Sequence, residues 1–190
     1  GKKEGFILFQ KDDFVMYGGV GVCRVAEVGP LKDPPEGQQE TDYYTLEPVF
    51  GSGAIYSPVD SKVFMRPVSS RQEVCRLIAK IPQISDAPFI TKNQKLLCDH
   101  YQAFMRTHDC EDLVQLIKSV YAKQQFSQKK GKKLGETDQR YCKMAESLLH
   151  GEFAVALDLP LDQVQPFIFQ AIQRLEADES LEAVFGEKMA

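Results

Sequence analysis

Apolar and polar residues follow two different periods along this chain. From residue 14 to residue 68, β-branched and aromatic residues alternate with polar ones, and Gly, Pro and Asp interrupt the pattern at short intervals. A period of two is typical of strands that bury one face. The pattern predicts strands at residues 14–17, 21–28, 42–49, 54–58 and 63–68.

Strands as few and as short as these need to curl in order to bury an apolar face. We therefore expect a small, five-stranded β-barrel of the Tudor or SH3-like type in the N-terminal third of the chain.

At Ser70 the period of the apolar residues changes from two to about 3.6. Ser70 and Glu73 have the spacing of a capping box, so a helix is predicted to start here and to end at Pro82. The change of period predicts two domains, residues 1–69 and residues 70–190.

The second domain is predicted to be all-α, with about five helices. The second helix covers residues 92–106, the third is capped by Asp109 and the fourth by Thr137. The fifth begins near Asp162, because Pro166 is tolerated only in the first turn of a helix. The predicted fold class is therefore α+β, a β-barrel followed by a helical domain.

Composition indicates a globular chain, with 43% hydrophobic residues. No stretch approaches the roughly 18 to 20 consecutive apolar residues of a membrane span, and the first residues lack a signal-peptide pattern. We expect a soluble protein of the cytoplasm with no membrane contact.

The five cysteines include no C-x-x-C pair and are interpreted as reduced, partly buried thiols. A metal site formed by Cys98, His100, His108 and Cys110 is the alternative. The residues between the two pairs look helical, whereas zinc ligand pairs usually flank turns. We therefore predict no bound metal.

The formal net charge is −4, but the charges are unevenly distributed. Residues 71–143 carry 14 Lys and Arg against 8 Asp and Glu, and residues 144–190 carry 2 against 9. The run Lys129, Lys130, Lys132 and Lys133 could contact phosphates, or it could be a solvated loop between helices. Both interpretations remain open from composition.

No set of residues predicts catalysis. None of the three histidines stands in a motif with a nucleophile or a carboxylate, and the run Gly18–Gly21 lies between two strands rather than between a strand and a helix. We predict a non-enzymatic protein without a cofactor.

The aromatic residues of the barrel could form a cage for a cationic ligand, although core packing explains most of them. Tyr43 and Tyr44 are adjacent in a strand and should point to opposite faces, so at most one of them joins any given cluster.

Four blocks of the first domain carry a family resemblance. Residues 14–25 (FVMYGGVGVCRV), 42–48 (DYYTLEP), 55–60 (IYSPVD) and 65–68 (MRPV) resemble the CarD/CdnL family of bacterial transcription regulators. Weaker matches at residues 107–110, 140–141 and 148–153 extend the likeness over most of the chain, and the layout resembles that of the clostridial-type members.

The resemblance implies that the barrel binds the β subunit of RNA polymerase by adding strand to strand. The residues that match the family's edge strand are Ile55, Tyr56 and Ser57, and Tyr44 is expected beside them. A protein of this kind would be found with the nucleoid through the polymerase.

The resemblance also implies that the helical domain contacts promoter DNA at the upstream edge of the bubble, largely without reading sequence, and stabilises the open complex. The basic candidates are Lys92, Lys95, Lys129, Lys130, Lys132, Lys133, Arg140 and Lys143. Many family members carry a tryptophan wedge in this domain, whereas this chain has no Trp. Phe89 could replace it as an apolar wedge or could be a core residue. The alternative function is a polymerase-associated adaptor whose helical domain binds a protein partner rather than DNA.

Overall fold

The computed structural model describes residues 8–186 and residue 188. The chain divides into two compact units, one that ends at Ser69 and one that begins at Ser70. The first seven residues of the predicted N-terminal domain lie outside the described range.

The described part of the N-terminal unit forms a sheet of five antiparallel strands. They are β1 (Phe14–Tyr17), β2 (Gly21–Pro30), β3 (Asp42–Pro48), β4 (Ile55–Pro58) and β5 (Met65–Pro67). Their order in the sheet is β4-β3-β2-β1-β5, so β4 and β5 form its two edges. All five predicted strands are confirmed, and the unit has a Tudor-like fold.

A bulge in β2 helps this small sheet to enclose a core. The register between β2 and β3 shifts between Val25 and Glu27, and such an extra residue bends a strand and increases its twist. Val15, Val25 and Leu46 are fully buried in one core cluster. The core is therefore formed from the alternating apolar positions that predicted the strands.

The adjacent tyrosines of β3 are both buried, although in different surroundings. Tyr44 belongs to the core cluster, whereas Tyr43 is outside it and its hydroxyl donates to Oε1 of Gln38 in the β2–β3 loop. The long loop therefore covers an aromatic side chain that would otherwise face solvent.

The C-terminal unit is helical. Its helices are α1 (Arg71–Lys80), α2 (Gln94–Arg106), α3 (Cys110–Lys129), α4 (Glu136–Leu157), α5 (Val164–Glu176) and α6 (Leu181–Phe185). The five predicted helices are confirmed, and α6 is an additional short helix capped by Ser180. In the described part of the chain, no helix combines the length and the apolar character that a bilayer crossing requires.

Most of the predicted helix signals have the expected geometry. The Ser70 hydroxyl accepts from the backbone N–H of Glu73 at 3.1 Å, and the Glu73 carboxylate accepts from the N–H of Ser70 at 3.3 Å. Asp109 caps α3 through the N–H of Glu111 at 2.7 Å, and Pro166 lies in the first turn of α5.

The predicted cap of α4 is wrong. The helix begins at Glu136 with Gly135 as its N-cap, so Thr137 already lies inside the first turn. Its hydroxyl bonds to Oε1 of Gln94 instead, at 3.2 Å. A tertiary contact with the start of α2 has replaced the local one that the sequence suggested.

Candidate functional site

The first candidate surface is the outer edge of β4, residues Ile55–Pro58, here called the β4 edge. Within the described part of the chain this strand pairs only with β3, so its other side has no strand partner. An unpaired strand edge presents backbone N–H and C=O groups that another chain can extend.

The register of β3 and β4 shows which backbone groups face outwards. The N–H of Val59 donates to the carbonyl of Asp42 at 3.0 Å, and hydrogen-bonded pairs alternate with non-hydrogen-bonded pairs in an antiparallel ladder. Tyr44 and Ser57 are therefore a hydrogen-bonded pair. Tyr56 belongs to the next, non-hydrogen-bonded pair, so its N–H and C=O point to the open side of β4.

The three predicted residues of the β4 edge differ in exposure. Tyr56 is 58% exposed, whereas Ser57 is only 1% exposed and Ile55 packs partly against the core. The Ser57 hydroxyl has no hydrogen-bond partner among the described residues. Tyr56 is thus the side chain that a docked strand would meet, whereas the backbone N–H and C=O of Ser57 face β3 and hold β4 in the sheet.

The side chain of Tyr44, which was predicted beside the contact residues, lies in the core. Its side chain is 2% exposed, its hydroxyl accepts from the backbone N–H of Phe9 at 3.1 Å, and the two rings meet edge to face at 5.9 Å. Burial in the core keeps this side chain away from a partner. The backbone of Tyr44 pairs with that of Ser57 and so holds β4 in the sheet.

Charged side chains cover the outer face of the strands beside the β4 edge. Arg24 on β2 donates to Asp12 at 2.6 Å and to Glu47 at 2.9 Å. The bond to Glu47 is the main cause that raises the pKa of Arg24. Tyr56 is therefore an aromatic residue at the margin of an ion-paired, solvated surface.

The second candidate surface is the basic end of the helical unit, formed where α2 and α4 begin and α3 ends. The hydrogen bond between Gln94 and Thr137 holds the starts of α2 and α4 together. Helix N-termini carry partial positive charge and favour anions. The basic end comprises the eight predicted cations Lys92, Lys95, Lys129, Lys130, Lys132, Lys133, Arg140 and Lys143.

Three of these cations line one cleft. Lys132, Lys133 and Lys143 border a cleft of about 390 Å³ between α3 and α4, together with Gln128 and Gln139. The loop that carries the first two lysines turns at Gly131, where φ is +68°. The cleft thus combines three ammonium groups and neutral amide groups, which suit phosphate oxygens, with one carboxylate, that of Glu146.

The remaining cations are spread over the ends of α2, α3 and α4 and do not line this cleft. Lys129 and Lys130 are exposed at the end of α3, and the Lys130 ammonium lies 4.3 Å from the centre of the Phe126 ring. The Arg140 guanidinium lies 5.3 Å from the ring centre of Tyr141. On α2, Lys95 pairs with Asp99 at 3.1 Å, while Lys92 is exposed just before the helix.

A buried ion pair supports the basic end from inside. Asp138, in the first turn of α4, accepts from Lys123 at 2.9 Å and from the Tyr101 hydroxyl at 2.5 Å. The exposed fractions of the Lys123 and Asp138 side chains are only 13% and 4%. Burial and the bond to Asp138 raise the pKa of Tyr101, which keeps the phenol protonated. The network joins α2, α3 and α4.

Phe89 is not a free wedge in this structure. Its ring is half-buried against the helical core and stacks on His100, with the ring centres 4.0 Å apart and the planes 9° from parallel. The neighbouring apolar residues Ile90 and Leu96 are instead 58% and 52% exposed. Sequence reasoning missed both, although Leu96 precedes the buried Leu97 and so falls off the apolar face of α2.

The alternative metal site was predicted from Cys98, His100, His108 and Cys110. Among the described residues, no group of three or more His, Cys, Asp or Glu side chains is arranged to hold a metal ion. Burial lowers the pKa of His100, with a smaller contribution from Lys123. The Cys110 thiol donates to the buried carboxylate of Glu152 at 3.0 Å, and burial raises the pKa of Cys142 to about 12.

Comparison with known protein families gives a match that covers the N-terminal unit. Residues 9–69 match the CarD-like/TRCF RID domain, and the match ends at the same residue as this unit. No curated protein matches the chain. The match confirms the resemblance that the four sequence blocks carry, while the likeness to clostridial-type members stays a prediction.

Proposed function

We propose that this chain is a transcription regulator that bridges RNA polymerase and promoter DNA. The proposal rests on residues 9–69, which match the CarD-like/TRCF RID domain. This domain occurs in transcription-related proteins and interacts with RNA polymerase. The N-terminal unit binds the β subunit of the polymerase, and the basic end of the helical unit contacts the DNA. The protein acts by stabilising the open complex and uses no cofactor and no catalytic step. It works in the cytoplasm, held at the nucleoid by the polymerase.

The observation that carries the proposal is the β4 edge in a domain of this family. An added strand can receive the outward N–H of Tyr56 and donate to its carbonyl, and such main-chain bonds give affinity in strand addition. The exposed Tyr56 ring offers a contact for an alternate side chain of the added strand. The geometry supports a short docking contact at the β4 edge rather than one built on Tyr44.

Support for DNA contact comes from the basic end. Lys132, Lys133 and Lys143 converge on one cleft, and two helix N-termini lie beside each other through the bond between Gln94 and Thr137. Contacts from such groups reach phosphates and so position a protein without reading sequence. In place of Phe89, we propose Ile90 and Leu96 as the apolar groups that meet the edge of opened DNA, because both are exposed beside Lys92 and Lys95.

The test measures binding to purified β subunit and the lifetime of the open complex for two variants. Tyr56→Pro removes an N–H that faces the open edge and takes no bond from the sheet, so we expect affinity for the β subunit to fall roughly tenfold, about the value of one or two main-chain bonds. Ile55→Pro is a poorer probe, since Ile55 and Leu46 are a hydrogen-bonded pair and the sheet itself would lose a bond.

The opposite edge of the sheet provides the matched control. The N–H of Val68 donates to the carbonyl of Phe14 and that of Gly18 donates to the carbonyl of Phe64, so by alternation the N–H of Met65 faces the open side of β5. Met65→Pro therefore removes an outward N–H at the wrong edge and should leave β-subunit affinity unaltered. Because Met65 also packs against the core of the unit, circular dichroism first checks that this variant is folded. Equal reductions in the two variants would reject docking through β4.

The second arm separates DNA contact from polymerase docking. Neutralising Lys132, Lys133 and Arg140 to Ala should shorten the open-complex lifetime while β-subunit binding stays as in the wild type, because these residues belong to the helical unit. An unchanged lifetime in this variant would refute DNA contact by the basic end and would leave the polymerase arm standing.

A further inference from the structure

The helical unit contains an apolar groove that neither proposed contact uses. It is formed by α3, α4 and α5, encloses about 330 Å³, and its walls include Val114, Ile117, Leu149, Ile168, Phe169 and Ile172. We refer to it as the apolar groove. Phe169, on its α5 wall, is 63% exposed. A large aromatic side chain this exposed, beside a concave apolar surface, is typical of an interaction site.

The apolar groove continues into the lysine cleft. Tyr121 and Glu146 line both of them, so the two adjoin at these side chains along α4, and we refer to the adjoining pair as the channel. The Tyr121 hydroxyl donates to Oε1 of Glu146 at 2.9 Å, and the Cys142 thiol donates to the same oxygen at 3.1 Å. Burial, followed by the bond to Glu146, raises the pKa of Tyr121 to about 12. The carboxylate at the junction is therefore occupied by the protein's own donors.

The channel has the length of a short helix. Gln139 lies at the cleft end and His150 at the apolar end of α4, and at 1.5 Å per residue this stretch of helix is about 16 Å long. Three turns of an α-helix have the same length and place apolar anchors at positions i, i+4 and i+7. The open channel thus suits a peptide helix laid along α4.

Charge identifies the chemistry of the occupant. At the apolar end, the Lys118 ammonium is held by the carbonyls of Ile81 and Ile84, both at 2.6 Å. At the other end, Lys132, Lys133 and Lys143 border the cleft. The Lys118 ammonium keeps its charge but directs its donors to these carbonyls, so the positive charge is concentrated at the cleft end of an apolar floor. The channel is complementary to a helix with one apolar face and acidic residues at one end.

We propose that this channel docks an acidic amphipathic helix of a protein partner, with Phe169 and Ile168 contacting its apolar face and the three lysines contacting its acidic end. This site goes beyond the proposed function, since Phe169 belongs neither to the β4 edge nor to the basic end. The lysines are shared with the basic end, so the helix and DNA phosphates compete for them. A partner bound here would weaken DNA contact without touching the N-terminal unit.

The test uses a fluorescently labelled synthetic peptide and the full chain. The peptide has about 18 residues, long enough to populate a helix, with Leu at i, i+4, i+7 and i+11, Glu at the other positions of one end and Ala elsewhere. One control peptide replaces Glu by Lys, and another has the same composition with Leu distributed around the helix. We expect the acidic amphipathic peptide to bind at least tenfold more tightly than either control, measured by fluorescence anisotropy.

Two substitutions locate the binding. Phe169→Glu should weaken binding of the acidic peptide at least tenfold, and Phe169→Ala should weaken it about threefold, since the ring is removed without added repulsion. Met144→Glu is the matched control, because Met144 is 46% exposed on α4 and lies outside the lining of the channel. Circular dichroism of each variant checks that the helical unit is folded.

Two results would overturn the proposal. The first is equal binding of the amphipathic and redistributed peptides, which would mean that the lysines attract any acidic chain. The second is wild-type affinity in Phe169→Glu, which would place the peptide elsewhere. Because the experiment contains no polymerase and no DNA, its result does not depend on the outcome of the polymerase experiment.

Discussion

The N-terminal and helical units present their candidate surfaces through different chemistry. The β4 edge offers backbone groups whose direction is set by the ladder with β3, so its binding depends on strand register more than on side-chain identity. The basic end offers long, exposed ammonium and guanidinium groups over a buried ion pair. Interactions at the β4 edge are therefore short-ranged and directional, whereas those at the basic end are long-ranged and sensitive to salt.

Salt should reveal the largest difference between the two surfaces. If about six phosphates are contacted by the basic end, affinity for forked promoter DNA falls roughly a thousandfold between about 50 and 200 mM salt. Affinity for the β subunit should change by less than about tenfold, because main-chain hydrogen bonds release no counterions. Both can be measured by titration at several salt concentrations.

The Lys132, Lys133 and Arg140 triple variant sharpens this test. For every phosphate that the variant no longer neutralises, the slope of log affinity against log salt should become shallower by about one. Identical slopes for DNA and for the β subunit would contradict the assignment of different chemistry to the two surfaces.

The buried pair beneath the basic end predicts a large stability effect in one unit only. Lys123→Met leaves the Asp138 carboxylate buried without its cation, and we expect the free energy of unfolding of the helical unit to fall by about 3 kcal/mol. Urea unfolding followed by the helical far-UV signal measures this change. Lys80→Met breaks an exposed pair with Glu111 and should cost no more than about 0.5 kcal/mol. Similar decreases of the unfolding free energy in the two variants would show that the buried pair stabilises the helical unit no more than an exposed pair does.

The smallest predicted effect concerns the two buried serines. The Ser57 hydroxyl in β4 has no partner within the described part of the chain, so Ser57→Ala should raise the unfolding free energy of the N-terminal unit by about 0.5 to 1 kcal/mol. The Ser119 hydroxyl in α3 donates to the carbonyl of Leu116 at 2.7 Å, so Ser119→Ala should give no gain. Differential scanning calorimetry distinguishes the units, and a decrease of stability in Ser57→Ala would show that this hydroxyl is satisfied in solution.

The element pattern could be predicted from the sequence because it is a local property. Alternation specified the strands, and the Ser70–Glu73 pair specified the start of α1, since both signals act within a few residues. Where a contact between distant segments decided the outcome, prediction failed. Thr137 looked like a cap but bonds to Gln94, which is 43 residues away.

The candidate site was predictable in residue type more than in orientation. The lysines of the basic end are exposed as expected, since a charged side chain is rarely buried without an ionic partner. The buried Tyr44 hydroxyl bonds to the backbone of Phe9, and the Phe89 ring stacks on His100. Neither contact leaves a signal in the order of residues. The apolar groove was missed for the same reason, because three helices are needed to form it.

Pro58, the last residue of β4, limits what the open edge can do. It has no N–H to donate, so a strand laid against this side gains few bonds before the ladder stops. Longer exposed edges allow copies of the same protein to aggregate edge to edge, and a proline in the edge strand is one feature that prevents this. The chain can thus keep an edge available for a partner while discouraging its own aggregation.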